Sequence, residues 1–255
     1  MKIKKYGKSG KPLLIFIHGG GLSSWSWKNI IHLLEEDYDI QAIIIDGHGE
    51  NYETDFISIE DTAGKIREHL NANHISRVHA ICGLSIGAQI TVELLTSTPN
   101  LSENWLIESA LVVPMKTITN VMLPFITLAY PLIKMKWYAK LQAKALFISE
   151  NDFELYFKDS SRMSLSTLQA VTISNGNYKL KSNYIESSSN ILFFVGSKEP
   201  KIMIRSAQLL ARSIPNSKLE ILEGYKHGEL SLKQHVRYAE IIRGFKGNEK
   251  ETKGI

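Results

Sequence analysis

Short apolar runs of strand length recur along the chain and are separated by longer, half-polar stretches. The runs at 13–17 and 40–45 are continuous, which is the pattern of strands buried on both faces of a parallel sheet. Glycine or proline ends several of the runs. The predicted strands cover 13–17, 40–45, 77–82, 105–113, 191–195 and 219–222, with a short edge strand at 1–5.

The stretches between these strands have helical periodicity. Ser58 or Asp61 can cap one helix, and Pro99 ends another. Strands that alternate with helices favour an open, mostly parallel sheet that is doubly wound, with helices on both faces. The predicted helices cover 25–36, 58–72, 86–97, 201–213 and 230–245, and we expect a frayed tail at 246–255.

The alternation stops between residues 115 and 190, where the sequence is helical and rich in aromatic residues. Pro124 and Pro131 should kink its first part. The run 121–133 is apolar apart from Thr127, but it is shorter than the ~18–20 residues that span a bilayer. We therefore expect no stable membrane insertion. A helix that faces a cavity under the insertion is favoured over a surface that touches lipid, in line with the resemblance described below.

The best candidate for chemistry is the pentapeptide Gly83-Leu84-Ser85-Ile86-Gly87, between a predicted strand and a predicted helix. A serine on such a sharp turn adopts a strained backbone, and small residues two positions away on each side let the neighbouring chain come close. The strain exposes the hydroxyl. The helix that follows directs its N-terminal N–H groups at any negative charge formed there.

A serine hydroxyl is a poor nucleophile at neutral pH and needs a base that a third group orients. Of the eight histidines, His227 is the best placed, since it follows the last strand and precedes the last helix. The others are predicted on helices, in loops or in a strand and are poorer candidates: His18, His32, His48, His69, His74, His79 and His235.

Five motifs in order resemble the α/β-hydrolase family of the ester and carbon–carbon hydrolase type: His18-Gly19-Gly20-Gly21, Asp46-Gly47-His48-Gly49, the Ser85 pentapeptide, Gly196-Ser197-Lys198-Glu199-Pro200 and Gly224-Tyr225-Lys226-His227-Gly228. The likeness covers nearly the whole chain. It implies an α/β-hydrolase fold with a helical cap inserted at 115–190, between core parts at 1–114 and 191–255. In such proteins the histidines of the first two motifs usually brace loops.

The resemblance implies a triad acid just after the strand 191–195, where this chain has Glu199 in place of the usual aspartate. Asp152 and Asp159 are poorer candidates because they fall in the cap. The second expected element is an oxyanion hole, with one N–H from Ile86 and one from the glycine turn, for which we choose Gly20. Haloalkane dehalogenases and epoxide hydrolases are set aside, since they carry a carboxylate where this chain has Ser85.

Bulk properties exclude several other classes. The chain has 255 residues, of which 44% are hydrophobic and 22% charged, as in an ordinary globular protein. The net charge of +4 and the lysines near the N-terminus come without a nucleic-acid motif, so we expect no nucleic-acid partner. No cofactor motif and no metal-ligand spacing occurs. One cysteine, Cys82, and the lack of a signal-peptide pattern favour a cytoplasmic protein.

The sequence therefore predicts a serine hydrolase that cleaves an ester or related acyl bond through Ser85, His227 and Glu199. Its partner would be a small acyl substrate that is partly apolar. Three alternatives stay open: thioester or carbon–carbon hydrolysis by the same residues, a ligand-binding protein without turnover, and a protein of the lipid surface. The oligomeric state is not predicted.

Overall fold

A computed structural model describes residues 1–182 and 184–245, so the tail predicted at 246–255 lies outside the described residues. Its core is one seven-stranded sheet. The strands are β1 Lys2–Gly7, β2 Leu13–Ile17, β3 Asp39–Ile44, β4 Val78–Leu84, β5 Ser102–Glu108, β6 Asn190–Gly196 and β7 Lys218–Leu222.

The strand order across the sheet is β1-β3-β2-β4-β5-β6-β7. Only β1, at the edge, is antiparallel, with Ile3 opposite Ile43. The other strands are parallel, and β4 lies between β2 and β5. This mostly parallel α/β sheet confirms the predicted fold class.

Ten α-helices are present in the described part of the chain. Ser58 caps α2 as predicted, since its hydroxyl accepts from the Asp61 N–H at 3.0 Å. The helices are α1 Lys28–Leu34, α2 Ile59–Ala72, α3 Ile86–Ser97, α4 Lys116–Ala129, α5 Lys136–Ala145, α6 Phe153–Arg162, α7 Leu165–Asn177, α8 Lys201–Ser213, α9 Glu229–Lys233 and α10 His235–Arg243.

The two faces of the sheet support two hydrophobic layers. Successive side chains of a strand point to opposite faces, so Ile15 and Ile17 of β2 join the layer under α2 and α3, whereas Leu14 and Phe16 join the layer under α1 and α10. Cys82 is fully buried in the second layer, as expected of a small core residue.

Strand β5 ends earlier than predicted. It stops at Glu108 rather than at residue 113, because Ser109 has a φ of 60° and turns the chain out of the strand. The apolar residues that follow stay buried without being extended. The N–H groups of Val112 and Val113 are satisfied instead by the hydroxyl of Ser206, at 3.1 and 3.2 Å. The prediction of a strand to residue 113 was wrong because burial, not strand pairing, keeps this run apolar.

The last predicted helix is also divided. Gln234, with φ −101° and ψ 52°, breaks it into α9 and α10. Its N–H still bonds back to the carbonyl of Leu230 at 3.1 Å, so the break is a bend between two packed helices. The short α9 begins at Glu229, two residues after His227, and α10 has its own N-terminus at His235.

Helices α4 to α7 are inserted between β5 and β6 and cover the sheet's carboxyl edge through α7. Phe56 N–H donates to the Thr167 hydroxyl at 3.2 Å, and Ile59 N–H donates to the Ser174 hydroxyl at 3.1 Å. Asp55 accepts from hydroxyl groups at the start of α7, Ser164, Ser166 and Thr167. Polar contacts thus attach this insertion to the loop before α2.

Helix α4 lies on the outside of α7. Gln169 donates to the Thr127 hydroxyl at 2.9 Å, and Thr119 fills the space above Gly176. Thr119 is the one buried residue of α4. The expectation that the run 121–133 faces a cavity was therefore wrong: its apolar side chains are exposed or half-buried, and α7 is the helix that approaches the site.

Candidate active site

Ser85 stands at the junction of β4 and α3 in a strained conformation. Its φ of 57° and ψ of −117° lie outside the regions that L-residues ordinarily adopt. The next residue, Ile86, is the first of α3. The hydroxyl therefore sits on a sharp strand-to-helix turn at the carboxyl end of a central strand, where the helix N-terminus favours negative charge.

Neighbouring atoms leave no room for a side chain at Gly83 or Gly87. A β-carbon on Gly87 would lie 2.3 Å from the carbonyl oxygen of Ile17 and 2.5 Å from that of His18. A β-carbon on Gly83 would lie 2.2 Å from the hydroxyl of Thr91. A hydrogen atom at Gly83 lets α3 pack against β4, and one at Gly87 lets α3 come against the end of β2, where the glycine turn begins.

The glycine turn after β2 lies directly against Ser85. A β-carbon on Gly19 would lie 3.5 Å from the Ser85 β-carbon, and one on Gly20 would lie 3.8 Å from Ile86 Cγ2. No backbone acceptor takes the N–H of Gly20 or Ile86 within residues 1–182 and 184–245. Val171 of α7 is also close, since its Cγ1 would lie 3.7 Å from a β-carbon on Gly20. The two N–H groups thus lie near the serine without a backbone partner, beside the apolar side chains of Ile86 and Val171.

His227 and Glu199 are joined by a hydrogen bond of 2.6 Å between Nδ1 and Oε2. The Glu199 side chain is fully buried, whereas that of His227 is 39% exposed. The other oxygen, Oε1, accepts from the Ser109 hydroxyl at 2.7 Å and from the Gly196 N–H at 2.8 Å. With Nδ1 donating to the carboxylate, Nε2 carries the lone pair that a base needs.

Charge and burial act in opposite directions on this pair. Burial disfavours the charged form of each group, but the hydrogen bond and opposite charge of the partner outweigh it. The pKa of Glu199 is accordingly lowered and the pKa of His227 is raised. Glu199 is thus a carboxylate that stabilises a protonated His227.

The turn that carries His227 is seated on the serine turn. Gly228 has a φ of 71°, and a β-carbon there would lie 3.2 Å from either Leu84 Cδ1 or Leu232 Cδ1. Leu84 directly precedes Ser85. The structure therefore places Ser85, Ile86, Gly20, Glu199 and His227, the five site residues predicted from the sequence, at one edge of the sheet. Within residues 1–182 and 184–245, the His227 side chain is hydrogen-bonded to Glu199 and not to the Ser85 hydroxyl.

Glu108 and Ser109, which the sequence did not single out, connect these parts. The Glu108 carbonyl accepts from the Ser85 N–H at 3.0 Å. Its carboxyl group accepts from the N–H groups of Leu230 and Ser231, both at 3.1 Å, at the start of α9. One residue thus bonds the serine turn and the helix that follows His227. The sequence could have indicated Glu108, because a carboxylate at the end of a strand next to the Ser85 strand is a candidate site residue. The predicted strand continued to residue 113, so Glu108 was placed inside the strand and not at its end.

Glu108 is an unusual acid because it is 2% exposed and forms no ion pair with a lysine, arginine or histidine of residues 1–182 and 184–245. Burial raises its pKa to about 7, against the opposing effects of the Ser231 hydrogen bond and the charge of His227. Its negative charge also contributes to the raised pKa of His227. The site therefore holds two buried carboxyl groups, one charged and one that titrates near neutrality.

Four of the other candidates, the loop histidines His18 and His48 and the two cap aspartates, have structural partners. His18 accepts the Ile45 N–H at 3.2 Å, and burial lowers its pKa to about 3. Burial lowers the pKa of His48 to about 4. Both brace loops, as the resemblance implied. Asp152 bonds Lys28, and Asp159 accepts from Trp25 Nε1 at 2.8 Å, so neither cap aspartate is the partner of His227.

Comparison with known proteins identifies the class. The model of the alpha/beta hydrolase family matches residues 14–241. The chain belongs to that family, which confirms the resemblance seen in its motifs and supports a hydrolase. A search of curated proteins found no match.

Solved structures share the fold over nearly the full length. A putative alpha/beta hydrolase from Desulfitobacterium hafniense is 21% identical, with a TM-score of 0.75 over 95% of this chain and 98% of that one. A carboxylesterase structure from Nitrososphaera gargenis is 18% identical, with a TM-score of 0.75 over 96% and 93%. An esterase from Exiguobacterium antarcticum is 16% identical, with a TM-score of 0.76 over 94% and 93%. At these identities the likeness shows the fold.

Proposed function

We propose that this protein is a serine hydrolase that cleaves a carboxylic ester or a related acyl bond. The observation that carries the proposal is the bond between His227 Nδ1 and the buried Glu199, on a turn seated against the strained Ser85 turn. A poor nucleophile needs such an oriented base, and the order serine, acid, histidine is that of this fold.

In the proposed mechanism, His227 Nε2 takes the proton of Ser85 as the serine oxygen attacks the acyl carbon. The carbonyl oxygen becomes an oxyanion, held by the N–H groups of Gly20 and Ile86. Protonated His227 then gives its proton to the leaving alcohol, and an acyl-enzyme remains. Water, deprotonated by the same imidazole, releases the acid and restores Ser85.

Glu199 holds His227 in the tautomer that this chemistry requires and stabilises its charged form. Its side chain is one methylene longer than the aspartate usual in the family. Ser109 and Gly196 donate to its second oxygen and so fix the longer side chain in one orientation. This supports Glu199 as the triad acid.

The substrate is proposed to be partly apolar near its acyl carbon, because Val171 and Ile86 lie beside Gly20. The same machinery serves thioester and carbon–carbon hydrolysis, which the site geometry does not separate from ester hydrolysis. A ligand-binding protein without turnover is the less favoured alternative, since the acid and the base are in contact.

Hydrolysis of short- and long-chain p-nitrophenyl esters tests the proposal. The wild type should hydrolyse at least one of them, and Ser85→Ala should reduce the rate to background. Ser97→Ala, in the last turn of the same helix α3, is the matched control and should keep the wild-type rate. A folded wild type without turnover would favour the binding-protein alternative.

A further inference from the structure

One long stretch of the cap has lysines as its only charged residues. From residue 109 to residue 149 the sequence contains five lysines and no other charged residue: Lys116, Lys134, Lys136, Lys140 and Lys144. Residues 1–34 are a second such stretch, with six lysines and no acidic residue. Helices α4 and α5 and the turn between them carry a local charge of +5, of which Lys136 is paired with Glu154 at 2.8 Å.

The same segment exposes large apolar side chains. Phe125 is 62% exposed and Leu128 81% exposed on α4, and Trp137 is 57% exposed on α5. We call the following residues the apolar cap surface: Ile118, Val121, Met122, Phe125, Leu128, Met135, Trp137 and Leu141. Such clustering marks an interaction site, whereas single exposed apolar residues are ordinary.

Packing explains which face of each helix is free. Helix α4 turns Thr119 and Thr127 toward α7, and helix α5 buries Ala139 and Ala143 against the core. The remaining faces carry the apolar cap surface together with Lys140 and Lys144. Both helices therefore have one side attached to the protein and the other side apolar, with lysines at its borders.

This geometry suits a helix that lies along a membrane rather than one that crosses it. The segment Lys116–Lys134 is long and apolar enough to span by length and composition alone. However, α4 itself has 14 residues, or about 21 Å, which is less than the ~30 Å of a bilayer core. Its contact with α7 also occupies one side. Only the outward side can enter lipid.

We propose that the apolar cap surface binds peripherally to an anionic lipid bilayer, with α4 and α5 lying in the interface. Lysines bordering an apolar face are the pattern of interfacial helices, because apolar side chains enter the acyl boundary while lysines contact anionic headgroups. Trp137, in edge contact with Tyr138, has the amphipathic ring that prefers this depth. The proposal does not depend on the hydrolase chemistry.

Co-sedimentation with vesicles tests it. The full chain should bind vesicles of phosphatidylcholine with about one-third phosphatidylglycerol, and binding should fall in about 1 M salt, which screens the lysines. Pure phosphatidylcholine vesicles should bind much less. Equal binding to both compositions would overturn the charge-based assignment, and no binding to the anionic vesicles at low salt would overturn the proposal.

Two variants locate the surface. Val121→Ser with Phe125→Ser and Leu128→Ser should weaken binding to the anionic vesicles by about tenfold or more. Its control replaces two exposed apolar residues of the core, Ile57→Ser and Val236→Ser, and should bind like the wild type. If both variants bind equally well, the apolar cap surface is not the binding site.

Charge reversal supplies the second test. Lys140→Glu with Lys144→Glu should weaken binding by about tenfold or more, whereas Lys201→Glu with Lys218→Glu, exposed lysines of the core, should not. All variants should keep the wild-type rate on a short soluble ester, and Ser85→Ala should bind vesicles normally. The wild type could instead form a dimer that the triple variant Val121→Ser, Phe125→Ser and Leu128→Ser dissociates. That result would show that a second copy covers the surface, and it would overturn the lipid assignment.

Discussion

Ser109 donates its hydroxyl to Glu199 Oε1 over 2.7 Å, joining the end of β5 to the acid of the proposed triad across 90 residues of sequence. Its neighbour Glu108 joins the same strand end to Ser85 and to α9. The end of β5 thus contacts every part of the site except the glycine turn. Changes there should alter how His227 is held as well as how the core is packed.

The first prediction concerns pH. Glu199 raises the pKa of His227 above its ordinary 6.5, so the acidic limb of kcat/KM should lie above pH 6.5. Glu199→Gln removes the negative charge and should shift that limb to lower pH. The maximal rate should also fall by about 10²–10⁴, because the imidazole loses its orientation.

Asp159→Asn is the control for this shift. Asp159 is a buried cap carboxyl whose partner is Trp25, so the limb should stay at the wild-type pH. The measurement is kcat/KM against pH for the three proteins. A limb that moves with Asp159→Asn and not with Glu199→Gln would assign the acid to the cap.

Glu108 gives a prediction for stability. Its pKa rises from 4.5 to about 7 on folding, so the unfolded chain loses the proton more readily. As the pH rises from 4.5 to about 7, the free energy of unfolding of the wild type should fall by about 3 kcal/mol relative to that of Glu108→Gln. Above that range the difference between the two proteins should be constant.

The side-chain amide of glutamine has a donor group that would face the N–H groups of α9, so Glu108→Gln should be less stable than the wild type at low pH. The test is therefore how the difference in stability changes with pH. Urea unfolding at pH values across the range measures it. Glu53→Gln, on an exposed carboxylate, is the control. Curves for Glu108→Gln and wild type that stay parallel with pH would mean that Glu108 does not titrate there.

How much of this could be predicted from the sequence depends on the range over which each requirement acts. The strained turn at Ser85 depends only on residues close in sequence, so the pentapeptide from Gly83 to Gly87 is enough to predict it. Glu199 and His227 follow from their places after successive strands. In contrast, Glu108 bonds to α9 across 122 residues and depends on where β5 stops, which an apolar run does not indicate.

The orientation of the cap was not predictable for a related reason. Helix α4 is more apolar than α7, so burial was expected of α4. The bonds of Phe56 and Ile59 to α7 instead place α7 next to the core. Helix α4 lies outside it, in contact with α7 through Thr119 and Thr127. Long-range packing decides which of two neighbouring helices is covered, and hydrophobicity alone favours the wrong one.

The close contact between Gly87 and the end of β2 can be tested by substitution. Gly87→Ala would put a β-carbon against two backbone oxygens, so α3 must move away from the glycine turn. We expect a loss of about 1–3 kcal/mol in stability and a lower kcat, because the Ile86 and Gly20 donors separate.

The matched control is Gly64→Ala, inside α2, where a β-carbon would meet nothing within 4 Å. This change should stabilise the protein by about 0.5–1 kcal/mol and leave the rate unchanged. Thermal unfolding and ester hydrolysis measure both effects. Equal tolerance of alanine at the two glycines would contradict the tight contact described for α3.

The oxyanion hole can be tested at Gly20. Gly20→Pro deletes the N–H, and kcat should fall by about 10²–10³ with a smaller change in KM. Gly20→Ala keeps the N–H, and its β-carbon would make only ordinary contacts of 3.7 and 3.8 Å, so the rate should change little. With melting temperatures near wild type for both, an active proline variant would remove Gly20 from the oxyanion hole.

The proposed function requires Ser85 to be an activated nucleophile. The most direct measurement is reaction with a fluorophosphonate probe, followed by mass spectrometry to map the adduct. We expect one adduct on Ser85 in the wild type, much slower labelling of His227→Ala and Glu199→Gln, and none on Ser85→Ala. A folded wild type that stays unlabelled, or an adduct on a different serine, would contradict it.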